Sequence, residues 1–202
     1  MNIDVINLGP MGNCTYLLTE GTEAVLIDPA WDMNYLEHIL SEKKLNLLAV
    51  FFTHGHFDHV KFSQDLLHKH HLQAFLEEND LVLSGLEPQL VHAYRGEQHL
   101  QIGPFKVHII PTPGHTAGGV CLHIGNALFT GDTLFPGACG RVDLPSSNPR
   151  QMRQSLVKLS KLPEDTQIFA GHAYGGKCSS TIGYERLKNP FMRNAIRDEE
   201  RL

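Results

Sequence analysis

Apolar positions along the 202-residue chain gather into short runs separated by polar, glycine-bearing breaks. Three β-type runs come first: IDVINL at 3–8, CTYLL at 14–18 and AVLID at 24–28, with Gly21 and Thr22 marking a turn between the last two. In MNYLEHILSEKK (33–44) Leu36, Ile39 and Leu40 share one face, which predicts an amphipathic helix. LLAVFF (47–52) is a continuous apolar run, the pattern of a strand covered on both faces, and a helix is predicted over 60–69. Further strands are predicted at 105–110, 120–124, 127–130 and 167–170, with a helix over 149–160 that opens on Pro149. The order β-β-β-α-β-α lacks the regular βαβ beat of a dinucleotide-binding fold and predicts a layered α/β or α+β domain. No linker, repeat or low-complexity tract divides the chain, so one domain over 1–202 is expected.

Composition narrows the classes. With 17 Lys+Arg against 22 Asp+Glu the net charge is −5, which argues against a binder of nucleic-acid backbone. The longest apolar run is far too short for a membrane span, and no basic segment opens an N-terminal signal. Cys14, Cys121, Cys139 and Cys178 form no CxxC pair and read as ordinary thiols of a reducing, cytoplasmic compartment. Histidine stands out with 13 copies. Imidazole is the commonest protein metal ligand, so their placement carries the next step.

Residues 53–59 read THGHFDH, putting His54, His56, Asp58 and His59 directly after the 47–52 strand. Imidazoles crowded this closely would repel one another if protonated. A bound cation removes the conflict by taking neutral nitrogens and the carboxylate as ligands. Three more strand runs end alike: PTPGH at His115, LFTGD at Asp132 and IFAGH at His172, each ligand type preceded by glycine. Four strand ends could converge on one edge of a sheet sandwich. Seven ligand groups exceed one tetrahedral zinc site and predict two divalent ions, zinc first, with iron or manganese also compatible with this donor set. Residues 78–95 are read as short helices with a loop over this site. His68, His70 and His71 fit a helix end, His108 and His123 fit strand interiors, and His99 shows no pattern.

The HxHxDH motif, with the later His115, Asp132 and His172, resembles the metallo-β-lactamase-fold hydrolases over nearly the whole chain. The resemblance implies a four-layer αββα sandwich. It also implies one metal on His54, His56 and His115, the other on Asp58, His59 and His172, and Asp132 between them. Within that family the chain is similar to the glyoxalase II-type thioesterases and the related persulfide dioxygenases. GDTLFPGACGRVDLPSSNP (131–149) resembles their GRTD loop, and STIGYERLKNPFMR (180–193) resembles their TIGxERxxNPF signature, read as a docking segment. In this resemblance Arg141 and Tyr174 contact the glutathione moiety; Lys177 is a further candidate for holding substrate, and Asp58 and Asp132 are the candidates for catalysis. The separate C-terminal helical domain of full-length glyoxalase II is not expected in this chain. Asp143 stands where an aromatic residue is frequent, and Val60, Lys61 and Phe62 replace small residues after the motif.

The activity implied is hydrolysis of a small-molecule, glutathione-linked thioester by a hydroxide held between the metals. Two alternatives are an Fe(II) persulfide dioxygenase built on two histidines and a carboxylate, and a hydrolase of another ester or thioester.

Overall fold

The structure, a computed structural model, describes residues 1–201. β1 (Asn2–Leu8), β2 (Asn13–Glu20) and β3 (Glu23–Ile27) form an antiparallel meander. Helix α1 (Met33–Glu42) begins where the Asp32 side chain accepts a hydrogen bond from Tyr35 N, and it carries the chain back so that β4 (Asn46–Phe51) lies parallel to β3. The helix predicted over 60–69 is two helices, α2 (Phe57–Val60) and α3 (Ser63–His70). They part at Phe62, whose N–H leaves the helical ladder for Ala30 O at 3.2 Å. β5 (Ala74–Glu77), α4 (Leu81–Ser84) and β6 (Val91–Tyr94) complete the first half, and the sheet runs β1-β2-β3-β4-β5-β6 with its last four strands parallel.

The second half opens with an antiparallel run of β7 (Gln98–Ile102), β8 (Phe105–Pro111), β9 (Val120–Ile124) and β10 (Ala127–Gly131). A small hairpin, β11 (Leu134–Phe135) and β12 (Ala138–Cys139), precedes α5 (Pro149–Ser160). The start of α5 is fixed by the Asn148 side chain, which accepts from Arg150 N and Gln151 N. β13 (Gln167–Ala170) then inserts parallel to β10, β14 (Ser179–Thr181) covers its free edge, and α6 (Ile182–Lys188) and α7 (Pro190–Glu199) follow. Sheet order is β14-β13-β10-β9-β8-β7.

Three apolar clusters define four layers. Leu36, Leu40, Leu66 and Leu67 of α1 and α3 pack on Leu17, Leu26 and Val50, the outer face of the first sheet. Between the sheets Tyr16, Ile27 and Phe51 meet Ile109, Leu122 and Phe129. Outside the second sheet Met152, Leu156 and Met192 of α5 and α7 cover Ile110, Cys121 and Leu128. This is the αββα sandwich. Tyr16 lies within the middle layer and donates its hydroxyl to Ala170 O at 2.5 Å, joining the two sheets by one buried bond. Among the described residues no helix is long and apolar enough to cross a membrane.

The tail docks through polar side chains. Asn189 Nδ2 donates to Ala138 O (2.9 Å) and Phe135 O (3.2 Å), and Glu185 Oε2 accepts from Gly137 N at 2.7 Å. Both residues are fully buried, and both hold the β11–β12 hairpin that leads into Arg141.

Candidate metal centre

Four strands of the two sheets deliver the site. β4 ends just before Thr53 and His54, β8 leads through a turn to His115, β10 ends at Gly131 before Asp132, and β13 ends just before Gly171 and His172. The centre is bordered by two glycines where a side chain would collide. A Cβ on Gly171 would sit 2.5 Å from Asp132 Oδ1, and one on Gly140 would sit 1.8 Å from Asp132 O.

All seven residues predicted as ligands come together. His54, His56 and His115 place one ligand atom each within 4.8 Å of one another, as do Asp58, His59 and His172. His54, His59 and Asp132 form a third such set, linking the first two. Asp132 stands between them, its Oδ2 3.4 Å from His115 Nε2 and 3.5 Å from His172 Nε2, its Oδ1 3.5 Å from His59 Nε2.

Surrounding acceptors aim the rings. His115 Nδ1 donates to Arg141 O at 2.9 Å, His172 Nδ1 to Met11 O at 3.1 Å and His59 Nδ1 to Asp28 Oδ2 at 2.9 Å. Each bond assigns the proton to Nδ1 and leaves Nε2 as a lone pair facing inward. His59 Nε2 and His172 Nε2 therefore confront each other at 3.2 Å, two acceptors with nothing of the chain between them. Only a proton or a cation between them relieves that contact. His54 Nε2 and Asp132 Oδ1 are also buried without hydrogen-bond partners. The donor set fits one or two divalent ions.

Electrostatics agree. Burial, reinforced by the neighbouring histidines, holds the His54 pKa well below the ordinary histidine range, and burial with His115 lowers that of His56. At His59 burial is outweighed by Asp28 beside Nδ1, so its pKa rises. Burial is also outweighed at His172, where Asp132 and Asp58 push the pKa up to about 10. Burial would raise both carboxylates, yet the His172 bond and nearby imidazoles hold Asp58 and Asp132 below their usual range. In the metal-free protein this cluster keeps a proton on His172 in the place a cation would take.

Four residues that no sequence motif announces build the frame. Asp28 accepts from Thr53 N (2.7 Å), Thr53 Oγ1 (2.6 Å) and His59, and it takes a left-handed φ of 50° to do so. Asn13 Nδ2 donates to Asp58 Oδ2 at 2.9 Å, and Trp31 Nε1 to Asp58 O at 3.1 Å. Asp80 is buried beneath two ligand loops, accepting from Gly55 N (2.9 Å), Thr116 Oγ1 (2.7 Å) and Gly118 N (2.7 Å). Asp28 carried a signal, since it ends an apolar strand as Asp132 does. Asp80 sits in ENDLVLSG, where nothing marks an interior position.

The three residues predicted to bind substrate are spread more loosely. Tyr174 is exposed and stacks on His172, centroids 4.9 Å apart and planes 4° from parallel. Arg141 offers its carbonyl to His115, but its guanidinium is exposed and paired at 3.0 Å with both oxygens of Asp143. Lys177 lies on the exposed turn after Tyr174.

Comparison with known proteins agrees with this fold. The metallo-beta-lactamase superfamily model matches residues 8–172, and the chain belongs to that superfamily. It is 37% identical over 192 residues to a hydroxyacylglutathione hydrolase of Tolumonas auensis, covering 94% of this chain and 73% of the relative. The crystal structure of ETHE1 from Myxococcus xanthus superposes with a TM-score of 0.87 at 28% identity, over 97% of this chain and 88% of that one. TTHA1623, crystallised in a di-iron-bound form, superposes with a TM-score of 0.80 at 33% identity, over 93% and 99%.

Proposed function

We propose that the protein is a metal-dependent thioesterase of the hydroxyacylglutathione hydrolase type, cleaving a small-molecule, glutathione-linked thioester. The observation that carries the reading is the pair of three-residue sets meeting at Asp132. His54, His56 and His115 would hold one divalent ion, Asp58, His59 and His172 the other, with Asp132 shared. The 37% identity to the Tolumonas auensis hydrolase supports the substrate class.

When bound, such ions supply Lewis acidity and lower the pKa of water toward neutrality. The chain's own residues do the rest. Asp58, held by Asn13 and Trp31, orients the attacking water. The leaving thiol, with an ordinary pKa of about 8.5, departs as thiolate with little help from an acid. Tyr174, fixed flat on His172, offers its hydroxyl and ring face to the thiol carrier at the mouth. Arg141 and Lys177 attract the carrier's carboxylates, Arg141 by exchanging Asp143 for substrate.

A second reading rests on the His54, His59 and Asp132 set, two histidines and one carboxylate, which is the donor pattern of mononuclear Fe(II) oxygenases and suits a persulfide dioxygenase. Elemental analysis of purified protein, run beside thioester hydrolysis and oxygen uptake with glutathione persulfide, separates the two. Two ions per chain with thioester turnover are expected. One iron with oxygen uptake and no hydrolysis would establish the second reading instead. His56→Ala and Asp58→Ala should each lower metal content and turnover together, and unchanged turnover in either variant refutes the role assigned to that residue.

A further inference from the structure

Three histidines that show no common pattern along the chain line up in space. Strand register sets His99 of β7 opposite His108 of β8, and His108 opposite His123 of β9, all on the outer face of the second sheet. That is the face α5 and α7 cover at Ile110 and Cys121, and it lies open toward the β7 edge. The His99 and His108 rings stack with centroids 4.1 Å apart and planes 14° from parallel. Glu97, just before β7, reaches the same spot, its Oε1 2.5 Å from His108 Nε2. One ligand atom from each of Glu97, His99 and His108 lies within 4.8 Å of the other two.

Two imidazole nitrogens and a carboxylate oxygen converging from adjacent strands are a donor set for a borderline transition-metal dication. Sheet pairing fixes the backbone beneath both histidines, so little ordering remains to be done on binding. The existing Glu97–His108 contact is no competitor, because it is open to solvent and an exposed polar contact of this kind stabilises little. We propose that Glu97, His99 and His108 form a separate, solvent-open binding site for a zinc-, nickel- or copper-class dication, distinct from the seven-residue centre and independent of the reaction assigned to it. Three protein ligands leave at least one position to water, which makes the site weaker and faster in exchange than the buried centre.

The test uses protein whose buried centre has first been filled with zinc. Further Zn2+ is added during equilibrium dialysis, and imidazole nitrogen resonances are followed by NMR. One additional equivalent is expected, with saturable shifts confined to His99, His108 and the adjacent His123. The double variant H99Q/H108Q should lose that equivalent and keep wild-type turnover and melting temperature. The single variant E97Q should bind the additional ion at least tenfold more weakly. Equal additional zinc in wild type and double variant overturns the proposal. So do shifts spread without saturation over exposed histidines such as His38, His68 and His71.

Discussion

Replacing Asp80 by asparagine tests how the ligand loops are held. The side chain is 1% exposed and accepts three bonds: Oδ2 from Gly55 N and Thr116 Oγ1, Oδ1 from Gly118 N. Gly55 separates His54 from His56, and Thr116 follows His115, so one carboxylate braces both loops of the first ligand set. The fit leaves no room for rearrangement, because a Cβ on Gly55 would lie 2.6 Å from Asp80 O and one on Gly118 2.8 Å from Asp80 Oδ1. Asparagine can keep the two Oδ2 bonds with its carbonyl oxygen, but its amide then faces Gly118 N–H at what was a 2.7 Å contact. One bond to a charged acceptor is lost, about 1.5–3 kcal/mol, and a buried donor is stranded, about 1–3 kcal/mol. The expected cost is roughly 2.5–6 kcal/mol, a large share of the ~5–15 kcal/mol that stabilises a typical domain. Urea titration of the metal-free proteins should show a lower midpoint at unchanged slope. Chelator competition should show zinc affinity reduced about 10- to 100-fold, the usual effect of losing a group that orients ligands. A stability change below about 0.5 kcal/mol, or unaltered zinc affinity, would refute the bracing role.

Other expectations follow from the same geometry. Gly140→Ala drives a Cβ against Asp132 O, displacing the segment whose Arg141 carbonyl holds His115, so zinc retention against a chelator should fall while far-UV circular dichroism stays native. His172, lifted from 6.5 to about 10 in the metal-free protein, contributes stability that is complete below pH 6.5 and lost as pH rises through about 10. The melting temperature of metal-free protein should decline over that window, and His172→Gln should flatten the decline. Metal uptake at pH 7.5 should also release a proton, read as a dependence of calorimetric heat on buffer ionisation enthalpy. Among the thiols, the neighbouring Cys14 side chain holds Cys178 below the ordinary thiol range, whereas burial pushes Cys121 and Cys139 up. Iodoacetamide at pH 7 should therefore label Cys178 first, and peptide mapping that finds Cys139 labelled earlier contradicts the assignment.

The seven centre residues were legible because they follow the ends of four apolar strands, four of them packed into one short HxHxDH motif, and both are local signals. Asn13 and Asp80 were not, since their meaning lies in partners 25 to 45 residues away. The missed strands β5, β6, β7, β11, β12 and β14 are short, and QHLQI of β7 is too polar to announce itself. Register is likewise invisible along one dimension. His99, His108 and His123 are scattered in the chain and adjacent only once three strands pair. The 60–69 helix failed at Phe62 because a tertiary bond to Ala30 interrupts a pattern that is helical on both sides.

The bond from His172 to Met11 O spans 161 residues, and Cys14 N reaches Gly171 O beside it. Nearly the whole polypeptide must therefore leave the ribosome before the centre can exist, since His172 follows β13, which pairs with β10 only after the first sheet and most of the second have been made. A nascent chain displaying only THGHFDH offers an ion a flexible cluster without its second half. Assembly of the full seven-residue set is thus a late event in the life of each molecule, since Asp132 and His172 join the THGHFDH cluster only when the second sheet is in place.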